Sequence, residues 1–215
     1  MSIPSEAPMV RHFPKATKAL HPAKAVLAPL LLLPLLGGCV NLGLGNAKVP
    51  PTLLTLTPQA VPASGATISG KPDSALSVME PETPAKLAVL RVPVAVDESR
   101  VAYLRQAQWV ERPSRLFQHL LAETLRAKDG HLISEGDSLT HGPILSGRLI
   151  DMGYDAQDHA VVVRFDAVRQ MPDGTIATRR FDASVPHVDA SAEEVGPALN
   201  RAANQVAQQV ADWVG

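Results

Sequence analysis

Ala160-Val-Val-Val-Arg-Phe-Asp-Ala-Val-Arg169 runs through Gln170 into Met171-Pro-Asp-Gly174, and a second run of similar character then continues to Val185. Successive side chains of a strand point to opposite faces, so Val161, Val163, Phe165 and Ala167 share one side while Arg164 and Asp166 share the other. At least one face of this strand must therefore pack on other elements. Pro, Asp and Gly between two such runs make a tight turn, so strands are expected over 160–169 and 175–185, joined as a hairpin. A third strand is expected over 144–152.

Helices flank this group on both sides in the chain. Over 113–128, Leu116, Phe117, Leu120, Leu121 and Leu125 recur at helical spacing on one face, and Asp129-Gly130 supplies the stop. The bland reading of His119 is that it faces solvent. Near the end, Ser191-Ala-Glu-Glu194 spells a capping box, in which the hydroxyl and the Glu194 carboxylate satisfy backbone donors reciprocally. Pro197 belongs in a first helical turn, so regular helix is expected only from Gly196. Leu199, Ala202, Ala203, Val206, Val210, Trp213 and Val214 then form a stripe of mostly small residues that permits close approach to a sheet.

Upstream, 87–96 is a nearly continuous apolar run, expected as a strand covered on both faces, with Pro93 marking an end, a bulge or an edge. A shorter extended segment is expected over 101–110. Thr52-Leu-Leu-Thr-Leu-Thr57 alternates as a first strand, which leaves 59–85, rich in Pro, Gly and Ser, as a long mobile excursion. The element order predicts an α/β class: a single-domain sandwich, 52–215, with a mixed β-sheet packed by two main helices.

The front of the chain bears on where such a domain works. Arg11, Lys15, Lys18 and Lys24 lead into the apolar run Ala25-Val-Leu-Ala-Pro-Leu-Leu-Leu-Leu-Pro-Leu-Leu36 and then Gly37-Gly38-Cys39. This is the pattern of a secretory signal peptide, and the run is well short of the ~20 residues that span a bilayer. Leu36-Gly37-Gly38-Cys39 is similar to a bacterial lipobox. On that resemblance 1–38 is removed between Gly38 and Cys39, Cys39 takes the lipid, and 39–51 is a flexible tether, with Met1 or Met9 as the start. Acyl chains contribute about 0.8 kcal/mol per buried methylene, so several together anchor durably. Val40 rather than aspartate after the cysteine favours the outer membrane over the inner, with the body facing the periplasm. Cys39 is the sole cysteine, so stability must come from a packed core and not from a disulfide. The whole chain carries a net charge of −1, and the basic lead holds one acid, Glu6, so the remainder is more acidic still. A nucleic-acid partner would demand the opposite balance.

Enzyme motifs are few. Gly136-Asp137-Ser138-Leu139 resembles the first block of the GDSL hydrolases, with Ser138 in the place of the nucleophile. That chemistry also needs a histidine base, an orienting carboxylate and oxyanion donors. No Gly-x-Asn-Asp block follows and no Asp-x-x-His occurs; Asp155-Ala-Gln-Asp-His159 sets the histidine one position late. The simpler reading of 136–139 is a polar turn, and an esterase remains the remote alternative. His131, His141, His159 and His187 show no metal-ligand spacing, so no metal and no cofactor is expected beyond the lipid on Cys39.

Four further segments carry a resemblance: Leu54-Thr-Leu-Thr-Pro58, the apolar run 87–96, Gln108-Trp109-Val-Glu-Arg-Pro113 leading into a Leu-rich helix, and Asp212-Trp213-Val214 closing an Ala-rich one. Together they resemble the auxiliary lipoproteins of ABC-type transport, the family of the paraquat-inducible accessory lipoprotein, over most of 52–214. The resemblance implies a fold similar to the TolB amino-terminal domain. It implies a non-catalytic role beside a permease, an ATPase and an MCE-domain protein that move lipid between two membranes. A homo-oligomer is left open. Another outer-membrane lipoprotein adaptor, such as a cell-wall synthase activator or an assembly factor, is the alternative. Trp109 and Trp213 are candidate docking anchors, because exposed tryptophans dominate many interfaces, with core packing as the competing account.

Overall fold

The computed structural model describes residues 52–128, 132–136 and 141–215. The expected signal peptide at 1–38 and the expected tether at 39–51 lie outside the described residues, as do Asp129-Gly130. In chain order the elements are β1 (Leu76–Val78), β2 (Arg91–Ala95), β3 (Val101–Gln108), α1 (Pro113–Ala127), β4 (Ile133–Glu135), β5 (Ile144–Asp155), β6 (Ala160–Gln170), β7 (Ile176–Val185) and α2 (Ala192–Val214). Seven strands form one mixed sheet, with both helices packed against it.

β5 is the spine of that sheet. Along one edge it pairs antiparallel with β6 over its whole length, and β6 pairs antiparallel with β7 through the expected hairpin. Gly174 closes the turn at φ +87°, a conformation glycine adopts at little cost, and the Asp173 carboxylate accepts from the Thr175 amide at 2.8 Å. The other edge of β5 is shared. β1 runs parallel to its start at Ile144–Leu145, Glu82 bridges Arg148, and β2 runs parallel to its end at Tyr154–Asp155. β4 then extends the sheet beyond β1, and β3 beyond β2.

A bulge keeps β5 in phase with the core. Leu149 faces Phe165 and Asp151 faces Arg164, so Ile150 is the extra residue. Leu145 and Leu149 point inward before it, Met152 and Tyr154 after it, and all four are buried. Without the bulge the second pair would face the open side. At Gly147 a Cβ would lie 2.1 Å from the Asp166 carbonyl and 2.8 Å from the Phe165 ring. The absent side chain is what lets Phe165 lie flat across β5 and meet Phe117 of α1 edge-on at 5.2 Å between centroids.

The helices cover one face of the sheet. α1 buries Leu116, Phe117, Leu120, Leu121 and Leu125, the predicted stripe. Its buried polar groups are satisfied, with Gln118 Nε2 donating to the Val78 carbonyl at 2.9 Å and Thr124 Oγ1 to the Leu120 carbonyl at 2.8 Å. α2 begins at Ala192, earlier than Gly196, and carries Pro197 inside it. Only half of the capping box forms. Ser191 Oγ accepts from the Glu194 amide at 3.3 Å, whereas the Ser191 amide donates to the Asp189 carbonyl instead of the Glu194 side chain. Ala198, Ala202, Ala203, Ala207 and Ala211 are buried, and their short side chains bring α2 down onto β6 and β7.

Three expectations are corrected. The apolar run 87–96 is a strand only over Arg91–Ala95; Leu87 ends a short 3₁₀ turn, and Val94 and Ala95 are half-exposed, so the strand is not covered on both faces. Pro93 does mark an irregularity, because the register against β3 shifts between Arg91 and Pro93. The segment 59–85 is not a loose excursion throughout. Leu76, Ser77 and Val78 form β1, buried between β4 and β5. The first strand over 52–57 is reduced to one bridge, Leu54 to Trp109. The chain after it is held by α2: Asn200 Oδ1 accepts from the Thr57 amide and Asn204 Oδ1 from the Gln59 amide, each at 2.8 Å, and Asn204 Nδ2 donates to the Thr57 carbonyl at 3.0 Å.

Candidate functional site

The sheet face opposite the helices is lined by charge. Outward residues of β5, β6 and β7 stand in register, so Arg148, Asp166 and Arg180 form one row across three strands and Asp151, Arg164 and Asp182 the next. Signs alternate along each row and between the rows. Arg180 binds Asp166 through both Nε and Nη2, at 2.6 and 2.7 Å, and Arg164 Nη1 reaches Asp151 at 2.7 Å. Lys86, from the 3₁₀ turn before β2, also pairs with Asp151. Opposite charges directly across strands stabilise a sheet, by about 0.2–1 kcal/mol for each pair.

At the β2 end of this face the lattice opens into a groove of about 500 Å³, lined by Lys86, Asp97, Asp151, Gly153, Asp155 and Arg164 among others. The carboxylates of Asp97, Asp151 and Asp155 are already engaged. The Ser99 amide and the Arg100 side chain hold the Asp97 carboxyl below the usual range, and Arg180 does the same for Asp166 beside the groove. Asp155 accepts from the Gln157 amide at 2.9 Å and the Asp158 amide at 3.3 Å. Tyr154 Oη donates to the Val188 carbonyl at 2.8 Å, and burial raises its pKa. Carboxylates held ionised are poor general acids near neutrality and good fixed hydrogen-bond acceptors. The groove is therefore suited to holding a polar partner. A smaller hollow of about 220 Å³ lies between Pro62, Ala66, Ile68, Arg126, Leu132 and Ile133.

Among the described residues, those singled out from the sequence are not brought together. Gly38, Cys39, His131 and Ser138 lie outside the described residues. Gly136, just before the Ser138 segment, has φ +83° at the end of β4. His119 is not simply solvated, because its Nδ1 pairs with Glu135, which also takes Arg126 Nη2 at 2.8 Å. His141 is fully exposed, and His159 closes the β5–β6 turn with φ +47°. Among the described residues no group of three or more His, Cys, Asp or Glu is placed to hold a metal ion. No described helix is long and apolar enough to cross a membrane.

The two tryptophans separate. Trp109 is 1 % exposed and packs in the core, with no hydrogen-bond partner for its Nε1, so it offers no docking surface. Its amide donates to the Leu90 carbonyl, just before β2, at 2.9 Å. Trp213 is half-buried at the edge of the helical layer, tilted against Phe181 at 5.6 Å between centroids. The groove was not foreseen from the sequence. The sequence signal for the charged face, though not for the groove, was the Arg-x-Asp repeat at Arg164–Asp166 and Arg180–Asp182.

Comparison with known proteins adds the following. The family model for the ABC-type transport auxiliary lipoprotein component matches residues 54–211. Protein XCC0632 from Xanthomonas campestris, a DUF330 structure, superposes with a TM-score of 0.63 at 16% identity, covering 76% of this chain and 94% of that one. A second crystal structure, of an uncharacterized protein, gives a TM-score of 0.61 at 13% identity over 76% of this chain and 100% of that one. No curated protein matches the sequence.

Proposed function

This chain belongs to the ABC-type transport auxiliary lipoprotein family, and from that premise we propose that it is a lipid-anchored, non-catalytic adaptor of an intermembrane lipid-transport system. In this reading Cys39 carries the lipid, the body faces the periplasm from the outer membrane, and the partners are an MCE-domain protein with its ABC permease and ATPase. The observation that supports it is the family match beginning at Leu54, a short distance after Leu36-Gly37-Gly38-Cys39. The chain between Cys39 and Leu54 can reach at most about 50 Å when fully extended. A body on such a leash stays close to its membrane and can engage a partner that crosses the periplasm. The open charged face and its groove suit polar contacts with that partner, and the engaged carboxylates suit holding better than turnover.

The test is affinity purification of the full chain from detergent-extracted membranes, with palmitate labelling in parallel. The adaptor reading expects the MCE-domain protein and the ABC permease to co-purify, and labelling to vanish in Cys39→Ala. Unchanged labelling in that variant removes the anchor. Recovery of a penicillin-binding protein in place of the transport proteins overturns the assignment to lipid transport.

A further inference from the structure

β7 pairs only with β6, so its other edge, over Ile176–Val185, has no neighbouring strand among the described residues. The ladder to β6 runs without a register shift, and the strand contains neither proline nor bulge. An edge of this length is a template for another strand, and proteins commonly blunt such edges with bulges, prolines or charged side chains. Of these devices β7 carries charged side chains alone, Arg179 on the helix side and Arg180 and Asp182 on its open face. Thr178, Arg180, Asp182 and Ser184 stand there in sequence, and the two charges are of opposite sign.

We propose that this edge pairs with the same edge of a second copy of the chain, antiparallel and centred on Phe181. A two-fold axis normal to the sheet keeps the faces of both copies aligned, so only registers that pair residues of the same face are allowed. Centred on Phe181, Arg180 of each copy stands opposite Asp182 of the other. The rows Arg148–Asp166–Arg180 and Asp151–Arg164–Asp182 then join end to end across the axis, and the alternation of sign continues unbroken through both copies. Centring on Arg180 sets arginine against arginine, and centring on Asp182 sets aspartate against aspartate; like charges directly opposite destabilise a sheet.

The helix-side residues of β7 fit the same register. Phe181 meets its counterpart at the axis, and Arg179, which now lies over the Phe181 ring at 5.0 Å, falls opposite the short Ala183 of the second copy. The Asp182 carbonyl takes only a long bond, 3.4 Å, from Gln209 Nε2, and a partner strand replaces it readily. The partner is thus selected by the edge's own charge pattern, which is complementary to itself in one register.

Two variants of the full chain, Thr178→Cys and Ser184→Cys, test this in native membranes with a short bis-maleimide cross-linker and the unmodified chain as the Cys39 background. Both positions are exposed on the open face. In the proposed register residue 178 of one copy stands opposite residue 184 of the other, at about 5 Å between Cα atoms, while two copies of residue 178 are about 20 Å apart. Cells producing both variants should give a cross-linked dimer on the order of tenfold stronger than cells producing either alone, from that difference in separation. A mixture no stronger than the single variants, or a single variant that cross-links as strongly as the mixture, overturns the proposal. Neither outcome depends on which transport partners co-purify.

Discussion

On β6, Val161, Val163, Phe165 and Ala167 are buried under α1 and α2, while on the opposite side of the same strand Arg164 and Asp166 stand in ion pairs open to water. One backbone thus borders two different environments. On the covered side, side chains are held by exclusion of water and by close packing, where every missing methylene leaves a gap. On the open side they are held by charge and hydrogen bonds in a high dielectric, where each pair contributes little. The comparison teaches that stability resides on the helix side, while the open side can be spent on recognition.

Three measurements would sharpen or break this contrast. Phe165→Ala should have the largest effect, a loss of about 3–5 kcal/mol in unfolding free energy by urea titration, because the ring fills the space over Gly147 and against Phe117. A loss no greater than that of an open-face variant would erase the distinction. Asn204→Ala should come next, at about 1–3 kcal/mol, since it strips the Gln59 amide and Thr57 carbonyl of partners at the border of the core. Faster hydrogen exchange at Gln59, ahead of the rest of the domain, is the accompanying sign.

Asp166→Asn should cost least at neutral pH, no more than about 1 kcal/mol, and should instead change the pH dependence. Arg180 holds the folded Asp166 carboxyl below its ordinary value, so the pair stabilises fully above about pH 4, the unfolded carboxylate range, and its contribution is lost as the pH falls through the lower folded value. Thermal melts between neutrality and acid should therefore show a shallower acid decline in the variant. An identical acid decline in both proteins would mean that the ion pair contributes nothing.

Much of this fold was legible in local patterns. The hairpin of β6 and β7, the apolar stripe of α1 and the small-residue stripe of α2 each announce themselves within a few turns or a few residues. β1 did not, because Leu76–Val78 sits in a Pro- and Gly-rich stretch and becomes a strand only when β4 and β5 flank it. Trp109 was equally ambiguous, since an indole before a helix reads the same whether it anchors a partner or fills a core. The groove was invisible, because its walls come from β2, β5, β6 and the 3₁₀ turn at Lys86, far apart in the chain.

By itself the amino-acid sequence determined the α/β class, the family resemblance, the two helical faces and the alternation of β6, because each rests on periodicities set by backbone geometry over short distances. Tertiary structure alone decided the rest: which half of β5 each parallel neighbour takes, the bulge at Ile150 that returns Met152 and Tyr154 to the core, and the register that lays Arg beside Asp across three strands. A register depends on which residue of one strand meets which residue of another, and no pattern within a single strand carries that information.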